Sequence, residues 1–314
     1  MPARYYERDT GWVRDCSGVM VAPCTPFDER GALDLERVPK YVDFLLERGV
    51  ASMMVGGTTG EFIAMTLAER SALIEAVLDA VGGRVPVIAH VGDVVLAETI
   101  RMAEAAASAG APAIAAIVPY FHHFTEQAIV DHLRAVARSV PELPLFVYNY
   151  PAATGNRLSA DGFARLLDEP NVAGTKLSMA TMEEIEPYLR FLPEICVVSG
   201  NDGVWDTFTR KGGRAVVSGN AAALPELMVR ALDAYLRRDE REIAAVGPLL
   251  EEVLALAHGG SPALLKAILR SRGMPVGAAR VQSVAPSEPD ASRSPSDRLK
   301  GAIGWVVDGA ERPA

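Results

Sequence analysis

The sequence predicts an α/β chain folded as a (β/α)8 TIM barrel with a C-terminal helical extension, and two observations carry that expectation. Short apolar runs recur eight times without polar alternation, as strands of a parallel sheet do when helices cover them. Segments of helical spacing separate most of these runs. The repeating units occupy about the first 235 residues, which suits a closed eight-stranded barrel better than an open sheet of five to seven strands.

The runs are GVMVAP at 18–23, ASMMVG at 51–56, VPVIAHV at 85–91 and PAIAAIVP at 112–119, then PLFVYNY at 144–150, VAGTKL at 172–177, ICVVSG at 195–200 and RAVVSGN at 214–220. A helix, LDLERVPKYVDFLLERG, lies between the first two runs and supplies a crossover between parallel strands. The next, TLAERSALIEAVLDAVGG, opens on a capping box of Thr66 with Glu69. It carries Leu67, Ile74, Val77, Leu78 and Val81 as an apolar stripe and ends on glycine. AETIRMAEAAASAGA repeats the pattern and closes at Gly110. Three further helical patterns follow the last run, at roughly 224–238, 240–258 and 261–273. The expected division is an N-terminal extension at 1–17, the barrel at 18–223, a helical bundle at 224–280, and a polar loop with a closing segment at 281–314. The loop at 283–297 is rich in serine and proline and reads as a mobile surface segment.

Composition narrows the function. The chain has 314 residues, a net charge of −9 and 49% hydrophobic residues, so it can bury a large core. It lacks a lysine-rich run, which argues against nucleic acid or an anionic membrane surface as the main partner. No run approaches the roughly 18 to 20 apolar residues that span a bilayer, and the start of the chain lacks a signal-like segment, so the expected compartment is the cytoplasm. Cys16, Cys24 and Cys196 are odd in number and unpaired in spacing, as reduced packing residues would be. His90, His122, His123, His132 and His258 show no metal-ligand spacing, so no metal is expected.

In a barrel of this kind the chemistry sits at the C-terminal ends of the strands. The polar residues there are Thr25, then Thr58, Thr59 and Glu61, then His90 and Asp93, then Tyr120, His122 and His123. Tyr148 and Asn149, Lys176, Asn201 and Asp202, and Ser218 with Asn220 complete the set. Lys176 lies within an apolar strand of a lysine-poor chain. Burial disfavours its charged form and makes it a nucleophile that can capture a ketone as a Schiff base; a structural lysine is the competing reading. The other lysines, Lys40, Lys211, Lys266 and Lys300, fall in helical or loop contexts and read as solvated charges. Tyr148, at the end of the preceding strand, is placed to move protons. The turn GTTGE, with Gly57 and Gly60 flanking two threonines, reads as a nest for a substrate carboxylate, with a structural loop as the alternative.

Together, GGTTGEF at 56–62, YNYPAATG at 148–155, GTK at 174–176 and SGND at 199–202 make the chain similar to the dihydrodipicolinate synthase / N-acetylneuraminate lyase family. These are pyruvate-dependent class I aldolases, and the likeness runs from about Gly18 to Gly273. The resemblance implies a barrel with a C-terminal helical bundle, a dimer or tetramer, and a Schiff base between lysine and a 2-keto acid with no separate cofactor. By position it implies that Lys176 forms the Schiff base, Tyr148 shuttles protons, Thr58 and Thr59 hold the carboxylate, and Thr58 joins the relay. Gly200 and Asn201 match the loop lining the pocket, with Ser218 and Asn220 opposite.

Two positions depart from the family pattern. Ala153 stands where members that condense pyruvate with aspartate semialdehyde carry an arginine, and a methyl group cannot replace a bidentate carboxylate partner. The form YNYP-A-TG looks more like 2-keto-3-deoxygluconate-type aldolases. Phe121 stands where relatives have a relay tyrosine that reaches across a subunit interface, leaving Tyr120, His122 or water to substitute. The expected function is therefore a lyase that cleaves or condenses a 2-keto acid with an aldehyde. Dehydration or deamination through the same imine, a dihydrodipicolinate synthase-like condensation, and non-catalytic keto-acid binding stand as alternatives.

Overall fold

The computed structural model describes residues 16–192, 194–257 and 261–281. The segments at 1–15 and 283–314, His258 and Lys300 lie outside the described residues. Eight strands, β1 Gly18–Val21, β2 Ser52–Val55, β3 Val87–His90, β4 Ala113–Ile117, β5 Leu145–Asn149, β6 Val172–Leu177, β7 Cys196–Ser199 and β8 Ala215–Ser218, pair in sequence order and close into a barrel. All pairs are parallel, and β1 closes on β8 through Gly18↔Ala215 to Val21↔Ser218. Each apolar run of the sequence therefore contains a strand. Polar alternation is missing because both strand faces are covered.

Two apolar layers result. One fills the barrel interior with Met20, Met54, Ile88, Phe146, Val198 and Val217 among others, so the lower barrel is packed solid. Gly174 makes room there, since a Cβ at that position would fall 2.5 Å from the Phe146 ring. The other layer lies between strands and helices, as in Leu67–Val81, which buries Leu73, Ile74, Val77 and Val81. Its capping box forms as expected, with Thr66 N donating to Glu69 Oε2 at 2.9 Å and Glu69 N donating to Thr66 Oγ1 at 3.2 Å. Arg70 in the same helix is buried as well and donates to the carbonyls of His90 and Gly92 at the top of β3.

Helices Pro225–Arg237, Glu240–Ala257 and Pro262–Ser271 follow the barrel. The chain then returns to the barrel top without helix: Phe27 N donates to Val276 O at 3.1 Å, and Val281 N donates to Glu61 Oε2 at 2.7 Å. This return segment corrects the reading of Lys266 as a solvated charge. Lys266 and Glu61 are both 0% exposed and pair at 2.7 Å, and Lys266 Nζ also donates to Ala278 O. A helix-period pattern gives a lysine's place on the wheel but cannot foresee that a later segment will fold over it. Lys40 is exposed and Lys211 pairs with Glu186 near the surface, as solvated charges do. Cys24 and Cys196 are buried, Cys16 is half-buried, and all three are free thiols.

Candidate active site

β5 and β6 set the centre of the site. Their register places Tyr148 beside Lys176, and Lys176 Nζ lies 4.0 Å from the centre of the Tyr148 ring. Both side chains point into the barrel mouth, because alternate residues of a strand share a face. The same alternation brings Ser178 beside Lys176 and Tyr150 beside Tyr148, where Tyr150 stacks at 6.0 Å between ring centres. Sequence reasoning passed over Ser178 and Tyr150; the two-residue step along each strand was the signal that could have found them.

Burial lowers the Lys176 pKa to about 7, although the Asp202 carboxylate partly opposes the shift. The amine is thus substantially neutral near neutral pH. Asp202 rises to about 6 through its own burial, against the hydrogen bonds from Ser218 Oγ and Asn220 Nδ2, both at 2.8 Å, and the nearby lysine. The Tyr148 phenol is pushed above its ordinary range by burial, so it stays protonated, with Thr58 and Ser178 as hydrogen-bond partners. Thr58 Oγ1 and Tyr148 Oη are 3.2 Å apart. Gly200 is required for this arrangement: a Cβ there would fall 2.2 Å from Ser178 Oγ and 3.0 Å from Lys176 Cε.

The threonine turn is built by local bonds. Glu61 N donates to Thr58 O and Phe62 N to Gly57 O, Thr25 Oγ1 donates to Gly60 O at 2.6 Å, and His90 Nδ1 meets Gly56 O at 3.0 Å. One amide of the expected nest, that of Glu61, is therefore spent inside the turn, and Thr58 and Thr59 line the cavity. Glu61 sits at φ 61°, a left-handed conformation unusual for a residue with a side chain, and its burial against Lys266 holds it there. Gly219 packs against the same turn, since a Cβ there would fall 2.8 Å from Thr59 Oγ1.

A cavity of about 660 Å³ opens above these groups. Thr58, Thr59, Tyr120, Tyr148, Ala153, Lys176, Gly200 and Asn201 line it, together with Asp202 and Asn220. The structure does not bring Gly57, Ser218 or His122 to the lining. Gly57 O accepts from Phe62 N inside the turn, and Ser218 Oγ donates to Asp202. His122 and His123 are exposed, because Phe121 at φ 76° turns the loop outward and Asn156 Nδ2 holds His122 O at 2.7 Å. Asn201 spends its amide on the carbonyls of Met179 and Ala180 and so fixes the loop after β6. Asn149 is likewise structural, donating to Leu158 O at 2.6 Å. His90 is buried and held neutral by desolvation. Asp93 lies 3.7 Å from Arg70 rather than in the cavity. Among the described residues no group of acidic, histidine or cysteine side chains could hold a metal, and no helix is long and apolar enough to cross a membrane.

Residues 15–301 match the dihydrodipicolinate synthetase family. The chain is 36% identical over 265 residues to a 4-hydroxy-tetrahydrodipicolinate synthase of Synechococcus, covering 83% of this chain and 87% of that protein. It is 34% identical over 264 residues to a DapA-like lyase of Halobacterium salinarum, covering 84% and 86%. In three dimensions it is similar to the Escherichia coli prophage protein YagE in complex with pyruvate, with a TM-score of 0.81, 26% identity, and coverage of 92% and 98%.

Proposed function

Because the chain belongs to the dihydrodipicolinate synthetase family, whose members are pyruvate-dependent class I aldolase-type enzymes, we propose that Lys176 captures pyruvate or a related 2-keto acid as an imine. Family enzymes work through a lysine Schiff base and no external cofactor, and Lys176 is the lysine of this cavity. The observation that carries the reading is a buried, readily deprotonated amine 4.0 Å from the ring of a buried tyrosine that reaches Thr58.

Thr58 and Thr59 receive the keto-acid carboxylate, and the neutral amine adds to the keto carbon. Tyr148, protonated and linked to Thr58, gives a proton to the departing hydroxyl as the carbinolamine loses water. The resulting iminium draws electrons from the adjacent carbon. That carbon then loses a proton to become an enamine, which adds to an aldehyde, or a carbon–carbon bond there breaks in the reverse direction. The product is a carbon–carbon lyase activity of the aldehyde-lyase type, in a dimer or tetramer working in the cytoplasm. Borohydride added with pyruvate should fix a reduced adduct on the peptide containing Lys176, detected by mass mapping; an unmodified chain would refute the assignment.

Two further results are expected. Tyr148→Phe should lower kcat by roughly 10²- to 10⁴-fold, the usual worth of a positioned acid–base group, while prolonged incubation with pyruvate and borohydride still labels Lys176. In pH profiles, kcat/KM should rise as pH increases through about 7, since only the deprotonated Lys176 attacks. Asp202→Asn removes a charge that favours the protonated amine, so this acidic limb should move to lower pH. A limb unmoved by that substitution would dissociate Asp202 from the lysine's titration.

A further inference from the structure

His90 has no part in the steps above, yet it lies against both the threonine turn and the tyrosine. The residue ends β3 and is 0% exposed. Its Nδ1 is 3.0 Å from Gly56 O, at the point where β2 gives way to the turn. A carbonyl oxygen only accepts, so Nδ1 carries the proton and donates, which fixes the tautomer. Burial, reinforced by the charges of Arg70 and Lys176, keeps the ring neutral and leaves Nε2 without a proton. Nε2 is buried and makes no hydrogen bond among the described residues. The ring therefore has no proton to move, and its contacts are those of a brace. It meets the Phe62 ring at 4.6 Å and the Tyr148 ring at 6.1 Å between centres, edge-on to each. Gly56 opens the stretch GGTTGEF and Phe62 closes it, so one imidazole touches both ends and sets them beside Tyr148.

The turn is held from two sides. β2 lies between β1 and β3, and a side chain at the end of each neighbour binds a glycine carbonyl of the turn. Thr25 Oγ1 donates to Gly60 O at 2.6 Å, and His90 Nδ1 donates to Gly56 O. Gly56 adopts φ 68°, a backbone conformation that glycine reaches without strain. Arg70 donates to His90 O and Gly92 O, so the backbone that carries the imidazole is itself anchored. We infer that His90 is a positioning residue: its bond to Gly56 O sets the place of Thr58 and Thr59, and through the 3.2 Å contact of Thr58 with Tyr148 it also sets the phenol. This rests on the imine reading above. Because Thr58 serves the carboxylate and the relay alike, loosening the turn affects substrate binding and proton transfer together.

The test compares His90→Asn with His90→Leu in the full-length protein. The two side chains share one branched shape, but the asparagine amide stands where Nδ1 stands and can donate to Gly56 O, whereas leucine leaves that buried carbonyl unpaired. Both lose the ring contacts, so both should lower the urea midpoint by similar amounts. Activity is read as exchange of the pyruvate methyl protons for deuterium in D2O by NMR, which needs the imine and enamine but no aldehyde. Leucine should raise the KM for pyruvate and reduce kcat, lowering kcat/KM by roughly 10- to 100-fold, and asparagine should recover most of that loss. His90→Gln carries its amide farther out, near the place of Nε2, and should resemble leucine; it supplies the comparison if leucine does not fold. Asparagine kinetics no better than those of leucine or glutamine would overturn the positioning role. So would leucine or glutamine kinetics equal to wild type with only the urea midpoint lowered. A wild-type chain that neither exchanges pyruvate protons nor traps pyruvate with borohydride would instead overturn the imine reading, and this inference with it.

Discussion

Lys176→Ala and Lys176→Arg are each expected to abolish pyruvate-dependent turnover, with kcat lower by roughly 10⁵-fold or more, as for loss of a covalent nucleophile. Arginine keeps the positive charge but never becomes a free amine near neutral pH, so it discriminates a nucleophile from a charge that merely attracts a carboxylate. Fold should be retained. Burial holds the Lys176 amine down to about 7, so at pH 7 the unfolded chain binds more protons at this site than the folded one. Stability therefore rises with pH from about 7 towards the lysine's ordinary value, and the protonated amine is a cost below that window. Lys176→Met, of similar length and without charge, should raise the urea midpoint at pH 7 while eliminating activity and borohydride labelling. A variant with Arg or Met that retained more than a few per cent of activity would defeat the covalent mechanism.

The second large effect is expected away from the reacting atoms, at the ion pair beneath the threonine turn. Glu61 and Lys266 are both fully buried and 2.7 Å apart, and Glu61 also receives Val281 N, so this one carboxylate fastens a C-terminal helix and the return segment to the barrel top. Lys266→Met leaves Glu61 without its cation, and removing one member of a buried pair destabilises by about 3–5 kcal/mol. That is a large part of the ~5–15 kcal/mol that holds a typical domain folded. Glu61→Gln keeps an acceptor for Val281 N but strands the Lys266 charge, which burial disfavours. The double variant Glu61→Gln/Lys266→Met should recover much of the loss, because no lone charge remains. Urea unfolding of the four proteins decides it: additive losses in the double variant would show that the two groups are not coupled. Arg280 reinforces the same junction by gripping Glu69, whose carboxyl it holds down at about 2 with help from the Thr66 cap.

These two sites differ in how far sequence reasoning could reach. Lys176 was legible because a lysine inside an apolar strand contradicts its surroundings, and because Tyr148, Thr58 and Thr59 recur at positions that a parallel barrel brings to one rim. Lys266 carried no such mark. On its helix it follows Leu265 and precedes Ala267 and Ile268, and the side that becomes buried is chosen by a segment that includes Ala278, twelve residues later in the chain. Glu61 was equally opaque, since a carboxylate after GTTG suits a cap, a ligand or an ion pair. His122 lies outside the cavity lining: it is exposed, next to Phe121 at φ 76°, a backbone angle that no residue pattern announces. Tyr150 and Ser178 were within reach of the strand period and were passed over for residues with more reactive side chains.

By itself the sequence determined the order and burial of the eight strands, since uninterrupted apolar runs between amphipathic helices have few other ways to leave water. It also singled out Lys176, the lysine proposed to form the imine, because a charge inside an apolar run stands out from its surroundings. Only the tertiary structure decided what the cavity wall is made of and where Glu61 finds its counterion. Ile63, Phe121, Ala153 and Leu254 come from four separate segments of the chain. Their meeting depends on how those segments turn, which is a property of long-range packing and single backbone angles rather than of any periodicity along the chain.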